Sequence, residues 1–365
     1  MYDQIQGDTL FIILYSVVTA MAMMASCYLL FRRGNAFAPD ITTPTRLRRW
    51  AAAFLAAYAL DHIWYMPIMF LSSSEDIKLC DLIGGLLDGM TIFPLAIIVM
   101  LTMLQDRKRP LWPVAVMVAP FIVGNALGVA TLSYEYLPML YGYLLLMGIG
   151  LIIYMVRALR QYGRWLRDNY ADLEQKEVWQ SFVVLAIVLL VFVVYALINE
   201  NSIYIYVMLV VSAVFICYLL WRVETLSDLS VPVNDAEEDM PAPPHGLSLT
   251  FRNDIGPLLK KYCEESQLYL QHDLSILQLA KAIGINRSYL SNHFASQGIT
   301  YNAYINSLRI QHFINLYRET AAKHQPVTAQ ELAYQSGFRN YKTFSTAFKR
   351  NMGMNATEWM LLVKS

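Results

Sequence analysis

Few residues in this chain carry chemical potential beyond packing, and the most conspicuous lie where charge is least welcome. Asp61 and His62 sit near the middle of one long apolar stretch, and Asp88 lies in the next. Tyr58 and Tyr65 fall one helical turn from His62 and Asp61 respectively. A carboxylate at the centre of a membrane helix costs at least ~2.5–3.5 kcal/mol, so such groups need partners or water. Two readings stay open. Asp61, His62, Tyr65 and Asp88 could form an outward-open pocket that binds a small-molecule signal or senses protonation through His62. They could equally be hydrogen-bonding groups that hold helices together inside a bundle. Asn125, Tyr141, Tyr143, Tyr204 and Tyr206 are expected in the outer halves of their own stretches. Enzymatic chemistry is not indicated. There is no GxSxG, HExxH or phosphate-binding loop, and the neighbours Asp61 and His62 diverge by about 100° around a helix. Cys27, Cys80, Cys217 and Cys263 are scattered without ligand spacing, so neither metal nor cofactor is expected.

The elements that must position these residues follow from composition. With 56% hydrophobic and 15% charged residues over 365 positions, and a mean hydropathy of +0.38, part of the chain belongs in lipid. Seven stretches are long enough to span about 30 Å of hydrocarbon: 9–31, 50–71, 82–104, 111–132, 137–159, 179–198 and 202–221. An acidic N-terminal flank (Asp3, Asp8) and a long apolar run mark the first as an anchor rather than a cleaved signal. Of the 14 Lys and Arg residues before position 222, all but Lys78 fall between stretches one and two, three and four, or five and six, counting Arg157 at the very end of the fifth with the loop that follows it. The positive-inside rule then puts the N-terminus outside and the C-terminus in the cytosol of a multi-pass protein. The pairs Gly85/Gly89 and Gly124/Gly128 read as close helix contacts.

Net charge divides the chain in three: −1 over residues 1–221, −5 over 222–246 and +6 over 247–365. The middle portion, acidic and with four prolines, reads as a flexible linker. At its start Ile216, Leu219, Val223 and Leu226 have the spacing of a short coiled-coil seam, through which a homodimer could form. The basic C-terminal portion suits a partner rich in phosphate.

That portion contains an internal repeat. In the first copy, about 274–298, Leu279 and Ala280 lie on an apolar helical face, Gly284 supplies a turn, and Leu290 and Phe294 anchor a second helix. In the second copy, about 328–353, Leu332, Ala333 and Gly337 follow at an offset of 53, Phe344 and Phe348 at 54, and Gly353 answers Gly298 at 55. Two helix-turn-helix units are therefore expected, joined by a long helix over about 301–319.

The string Leu332-Ala333…Gly337-Phe338…Phe344…Phe348-Lys349…Gly353, with the upstream unit and the Asn306…Arg309 pattern, resembles the DNA-binding domain of the AraC/XylS family over about residues 250–362. Ala356 stands where that family usually has proline, and Phe313 where the linking helix usually has alanine; both departures concern packing. The resemblance implies a bacterial transcription regulator whose two recognition helices enter successive major-groove segments about 34 Å apart. It also implies double-stranded DNA and RNA polymerase as partners. By the same resemblance the base-reading positions are Ser288, Ser291 and Asn292, with Arg287 and Tyr289 beside them, and Tyr341, Lys342, Thr343 and Thr346 on the second unit. Asn340, Lys349 and Arg350 are placed as phosphate contacts. The expected fold class is all-α: a seven-helix transmembrane bundle followed by a tandem helix-turn-helix domain. The expected location is the bacterial inner membrane, with the DNA-binding part in the cytosol. A transporter or receptor whose DNA-binding tail reports occupancy is the alternative.

Overall fold

The computed structural model describes residues 8–197, 202–229, 255–323 and 325–364. Among them no strand occurs, only an isolated antiparallel bridge between Tyr170 and Ser275. The chain divides into two compact units, one of Met1–Tyr162 with Val178–Leu229 and one of Gly163–Glu177 with Ser230–Ser365.

Over their described residues the seven apolar stretches are mainly helical. The first unit contains α1 (Thr9–Phe31), α2 (Thr45–Tyr65), α3 (Ser74–Met90), α4 (Ile92–Met103), α5 (Trp112–Thr131), α6 (Leu137–Asn169, which runs on into the second unit), α7 (Trp179–Leu197) and α8 (Ser202–Thr225). Five described helices are long and apolar enough to cross a membrane, with α3 and α4 counted as one. Three departures from the expected bounds have local causes. Pro67 converts the end of the second stretch into a short 3-10 turn, Met66–Met69, so α2 stops at Tyr65. The third stretch begins earlier, at a Ser73 cap whose hydroxyl accepts from the Asp76 amide at 3.4 Å, and breaks at Thr91. Pro94 lies just past the break, where it has no amide to donate to the carbonyl of Met90. The fifth stretch continues ten residues beyond 159, because Arg160–Asn169 contains no proline and its single Gly163 costs a helix only about 1 kcal/mol.

Contacts between connections sort to two ends of this unit. At one end Arg32 Nε donates to Glu224 at 2.9 Å, the Asp228 amide to Thr42 O at 2.8 Å, and Gln105 to Ser227 O at 3.0 Å. At the other Tyr206 donates to Asp8 and Tyr134 to Asp81, with Lys78 over the Tyr134 ring. The glycine pairs act as packing sites. A Cβ on Gly89 would lie 2.8 Å from the Phe121 ring, and one on Gly124 would lie 2.3 Å from Leu140. One expectation is corrected here. Ile216, Leu219, Val223 and Leu226 are all buried within their own unit, so that row offers no seam to a second copy. Residues 224–229 are likewise tied down rather than free; the remainder of the acidic linker lies outside the described residues.

The second unit opens with α9 (Ile255–Leu259), which continues as a π-helical turn over Lys260–Glu265, and then a 3-10 turn, Leu268–Leu270. Next come α10 (Ile276–Ile283), α11 (Arg287–Ser296), the linking helix α12 (Tyr301–Ala322), α13 (Ala329–Gln335), α14 (Tyr341–Met352) and α15 (Ala356–Lys364). The repeat extends to the caps. Ser275 and Gln278 form a capping box on α10, and Thr328 and Glu331 form its counterpart on α13. Asn286 and Asn340 cap the two recognition helices, α11 and α14, accepting from the Ser288 and Thr343 amides at 2.8 and 2.7 Å. Phe313 sits at the centre of the second core, its ring centroid 4.6 Å from that of Phe344 and 5.4 Å from that of Phe348, and Ala356 is buried beside it.

Gly284 and Gly337 occupy equivalent turns with φ of +81° and +86°, but a Cβ on Gly284 would meet open space, whereas one on Gly337 would lie 2.8 Å from the Leu270 backbone. Gly284→Ala is expected to cost about 1–2 kcal/mol from the left-handed conformation alone. Gly337→Ala should cost clearly more, and thermal unfolding of the two variants side by side measures the difference.

Candidate nucleic-acid interface

The two recognition helices present their faces as the apolar pattern demands. Leu290 and Phe294 on α11, and Phe344 and Phe348 on α14, point into the cores. Ser288 and Asn292, and Lys342, Thr346, Lys349 and Arg350, are exposed, while Tyr289, Ser291 and Thr343 are half-buried beside them. Tyr341 turns partly inward, its ring 5.6 Å from that of Phe344, which leaves its hydroxyl edge rather than its face for a ligand. Thr346 donates back to the Lys342 carbonyl at 3.0 Å, so its methyl group faces outward more readily than its hydroxyl. Asn340 is engaged as a cap through Oδ1, a role the sequence reading did not assign to it.

The linking helix is fixed by one buried cation. Arg309 is fully buried, and its Nε donates to the Tyr269 carbonyl at 2.8 Å. Its Nη1 and Nη2 reach the two carboxylate oxygens of Asp172 at 3.0 and 3.3 Å, and Nη2 also reaches the Gln271 carbonyl at 2.8 Å. The Phe338 ring lies below the guanidinium, 5.6 Å away. Phe338 is fully buried and is the second unit's counterpart of Ile285, their amides donating to the Ala333 and Ala280 carbonyls at 3.2 and 3.0 Å, so the turn of the second unit supplies the aromatic floor under Arg309.

Asp172 comes from Gly163–Glu177, far upstream, and this segment is part of the same unit. Ala171 is buried in the first core, and its amide donates to the Leu274 carbonyl at 3.0 Å. Asn302 at the start of α12 donates to the Ala171 carbonyl. Lys176 pairs with Asp273 Oδ1 at 2.9 Å, and Arg339 with Asp273 Oδ2 at 2.8 Å. Burial would raise the pKa of Asp273, but the charges of Lys176 and Arg339 and the Lys176 hydrogen bond outweigh it and hold the carboxyl below its ordinary value. Arg287 donates through Nε and Nη2 to Asn169 Oδ1 at 3.0 and 2.6 Å. Sequence reasoning missed this segment entirely. Asp172 and Lys176 look like ordinary loop charges between two apolar stretches.

The four candidate pocket residues of the first unit do not gather at one point. Tyr65 donates to Asp88 at 3.3 Å, and the Asp61 and Asp88 carboxyl groups share a hydrogen bond, leaving Asp61 Oδ1 buried without a partner. Gly84 makes room for the Tyr65 ring, since a Cβ there would fall 2.3 Å from it. His62 belongs to a different cluster. Tyr15 stacks on it with centroids 4.7 Å apart, and its Nδ1 lies 3.1 Å from the Tyr58 carbonyl. Among the described residues no group of acidic, His or Cys side chains is placed to hold a metal.

Comparison with known proteins is confined to the C-terminal part. Residues 279–361 match the family model described as a helix-turn-helix domain. The chain is 33% identical over 78 residues to the TCP pilus virulence regulatory protein of Vibrio cholerae serotype O1, covering 21% of this chain and 26% of that one. It is 28% identical over 92 residues to an uncharacterized HTH-type transcriptional regulator of Staphylococcus aureus, covering 25% and 12%. It thus spans about a quarter or less of the length of these relatives. No solved structure matches.

Two outcomes follow from the ion pairs of Asp172 and Asp273. Asp172→Ala should destabilise the second unit by about 3–5 kcal/mol, because Arg309 is left charged, buried and short of its carboxylate; hydrogen exchange of the α12 amides reads this. The Asp273 contribution runs the other way from a histidine switch. Its folded pKa lies below 3.8, so the stabilisation is complete above that value and is lost as pH falls through the folded pKa. Melting curves of wild type and Asp273→Asn should therefore differ by a constant amount from pH 8 to 5 and converge only in stronger acid.

Proposed function

We propose that this chain, whose C-terminal part is a helix-turn-helix domain of the AraC type, is a membrane-embedded transcription regulator that reads DNA sequence through α11 and α14. The observation that carries the reading is the second unit itself. Two capped recognition helices expose polar side chains on the faces left free by their cores, and a helix locked by Arg309 joins them. Ser288, Ser291, Asn292, Lys342 and Thr343 serve as the base-reading set, with Arg287, Tyr289, Tyr341 and Thr346 beside them. Lys349 and Arg350 contact phosphate, and Asn340 does so through the nitrogen its capping role leaves over.

The first unit is read as the membrane anchor and sensor. Its support is the five long apolar helices and the sorting of connections to two ends, which agrees with the alternation of basic loops along the chain. On this reading the protein lies in the bacterial inner membrane with residues 247–365 in the cytosol, in reach of DNA and RNA polymerase. Asp61, Asp88 and Tyr65 form the sensing site for a small-molecule signal, and His62 with Tyr15 and Tyr58 packs beside it. The buried, unpartnered oxygen of Asp61 also favours a second reading, in which the same carboxylates line a transport path. Substrate flux in proteoliposomes separates the two.

Chromatin immunoprecipitation of wild type beside Asp61→Asn and Asp88→Asn tests both halves at once: wild type should enrich discrete promoters, and the variants should change occupancy without changing the sites. In binding assays Asn292→Ala should relax base preference at one position by about 1–3 kcal/mol. Arg350→Ala should weaken all duplexes alike and lower the salt slope by about one. If Asn292→Ala weakened operator and random DNA equally, its assignment to base reading would be wrong.

A further inference from the structure

Gly163–Glu177 does more than complete the core of the DNA-binding unit. Its Asn169 and Glu174 reach the N-terminal ends of both recognition helices. Asn169 Oδ1 takes two donors of Arg287, the first residue of α11. A Glu174 carboxylate oxygen accepts from Asn340 Nδ2, the nitrogen of the residue that caps α14. Asp172, Glu174 and Gln175 line one small cleft together with Thr343, Arg339 and Asp273. Side chains placed to meet DNA on each helix are thus already bound, and on α14 the bound group is a carboxylate. An anion at a helix N-terminus supplies the interaction a phosphate oxygen would make there.

The segment has two parts with different holds. Ala171 and Asp172 are anchored in the core, through the Leu274 backbone and Arg309. Asn169 and Glu174 flank that anchor as arms: Glu174 is exposed and can leave without opening the core, whereas Asn169 is the buried last residue of α6 and leaves Arg287 only when the end of that helix shifts. The chain leads directly from α6 into the segment and from the segment to α7.

We infer that this segment is a built-in competitor of DNA. With Asn169 on Arg287 and Glu174 on Asn340 the domain is held in a low-affinity state, and operator binding requires both arms to release. The inference rests on the DNA-binding reading above and adds its regulation: what α6 and α7 do is transmitted through Asn169 and Glu174 rather than through the acidic linker.

The test uses the full chain in lipid nanodiscs and, as probes, a duplex recovered by immunoprecipitation of the wild type and a random duplex of equal length. In the double variant Glu174→Cys with Asn340→Cys, with the four native cysteines replaced by Ser, the oxidised sample is the fraction whose 174–340 disulfide is verified by peptide mass, and in it the arm is locked on α14. Reduced protein should bind the recovered duplex at least about tenfold more tightly than oxidised protein. Glu174→Gln alone should bind several-fold more tightly than wild type, because it removes the competing charge from an exposed position and leaves the core intact. Equal affinity of oxidised and reduced protein, or weaker binding by Glu174→Gln, would overturn the inference while leaving the DNA-binding reading standing. Failure of wild type and reduced variant alike to prefer the recovered duplex over the random one would instead remove that reading, and the inference with it.

Discussion

A single guanidinium organises the C-terminal unit. Arg309 is fully buried, and an arginine cannot escape by losing its proton, so everything around it has to be arranged to satisfy it. Two backbone carbonyls of the turn at 269–271, one bidentate carboxylate and one aromatic face do so. The carbonyls fix the first helix-turn-helix unit against α12. Phe338 belongs to the turn of the second unit, and the same cation lies over its ring. The spacing and orientation of α11 and α14 therefore depend on one charge.

Much of this was legible from sequence, and what was legible shares a cause. The apolar positions Leu279, Ala280, Leu290 and Phe294, and their copies Leu332, Ala333, Phe344 and Phe348, are local signals set by helix periodicity, and all eight are buried. Gly284 and Gly337 mark left-handed turns that few other residues tolerate. The paired capping boxes, Ser275 with Gln278 and Thr328 with Glu331, are equally local and repeat at the same offset of 53, so they strengthen a repeat recognised from apolar residues alone.

What sequence reasoning missed is non-local. Nothing near Asp172 in the chain announces a partner 137 positions away, and Asn169 and Glu174 look like ordinary loop residues. The row Ile216, Leu219, Val223 and Leu226 misled for a related reason. Periodicity identifies an apolar face but not what covers it, and here the face is covered from within the unit. In the apolar helices Asp61 and His62 were expected to diverge, and they do, but the pairing of Asp61 with Asp88 depended on how two helices meet. The closeness permitted by Gly84 beside Tyr65 was part of that meeting.

The insertion of Gly163–Glu177 into the second unit also sets an order on biogenesis. The segment leaves the ribosome well before residues 255–364, with apolar helices on either side of it in the chain. Closing a loop of this length costs only logarithmically more than closing a short one, so distance along the chain is no obstacle. Timing is the constraint. Until the C-terminal helices return to the waiting carboxylate, Arg309 has no counter-ion; a fragment cut away upstream of residue 255 would never have one. The C-terminal unit is thus not a detachable module, and the carboxylate that completes it is made long before residues 255–364.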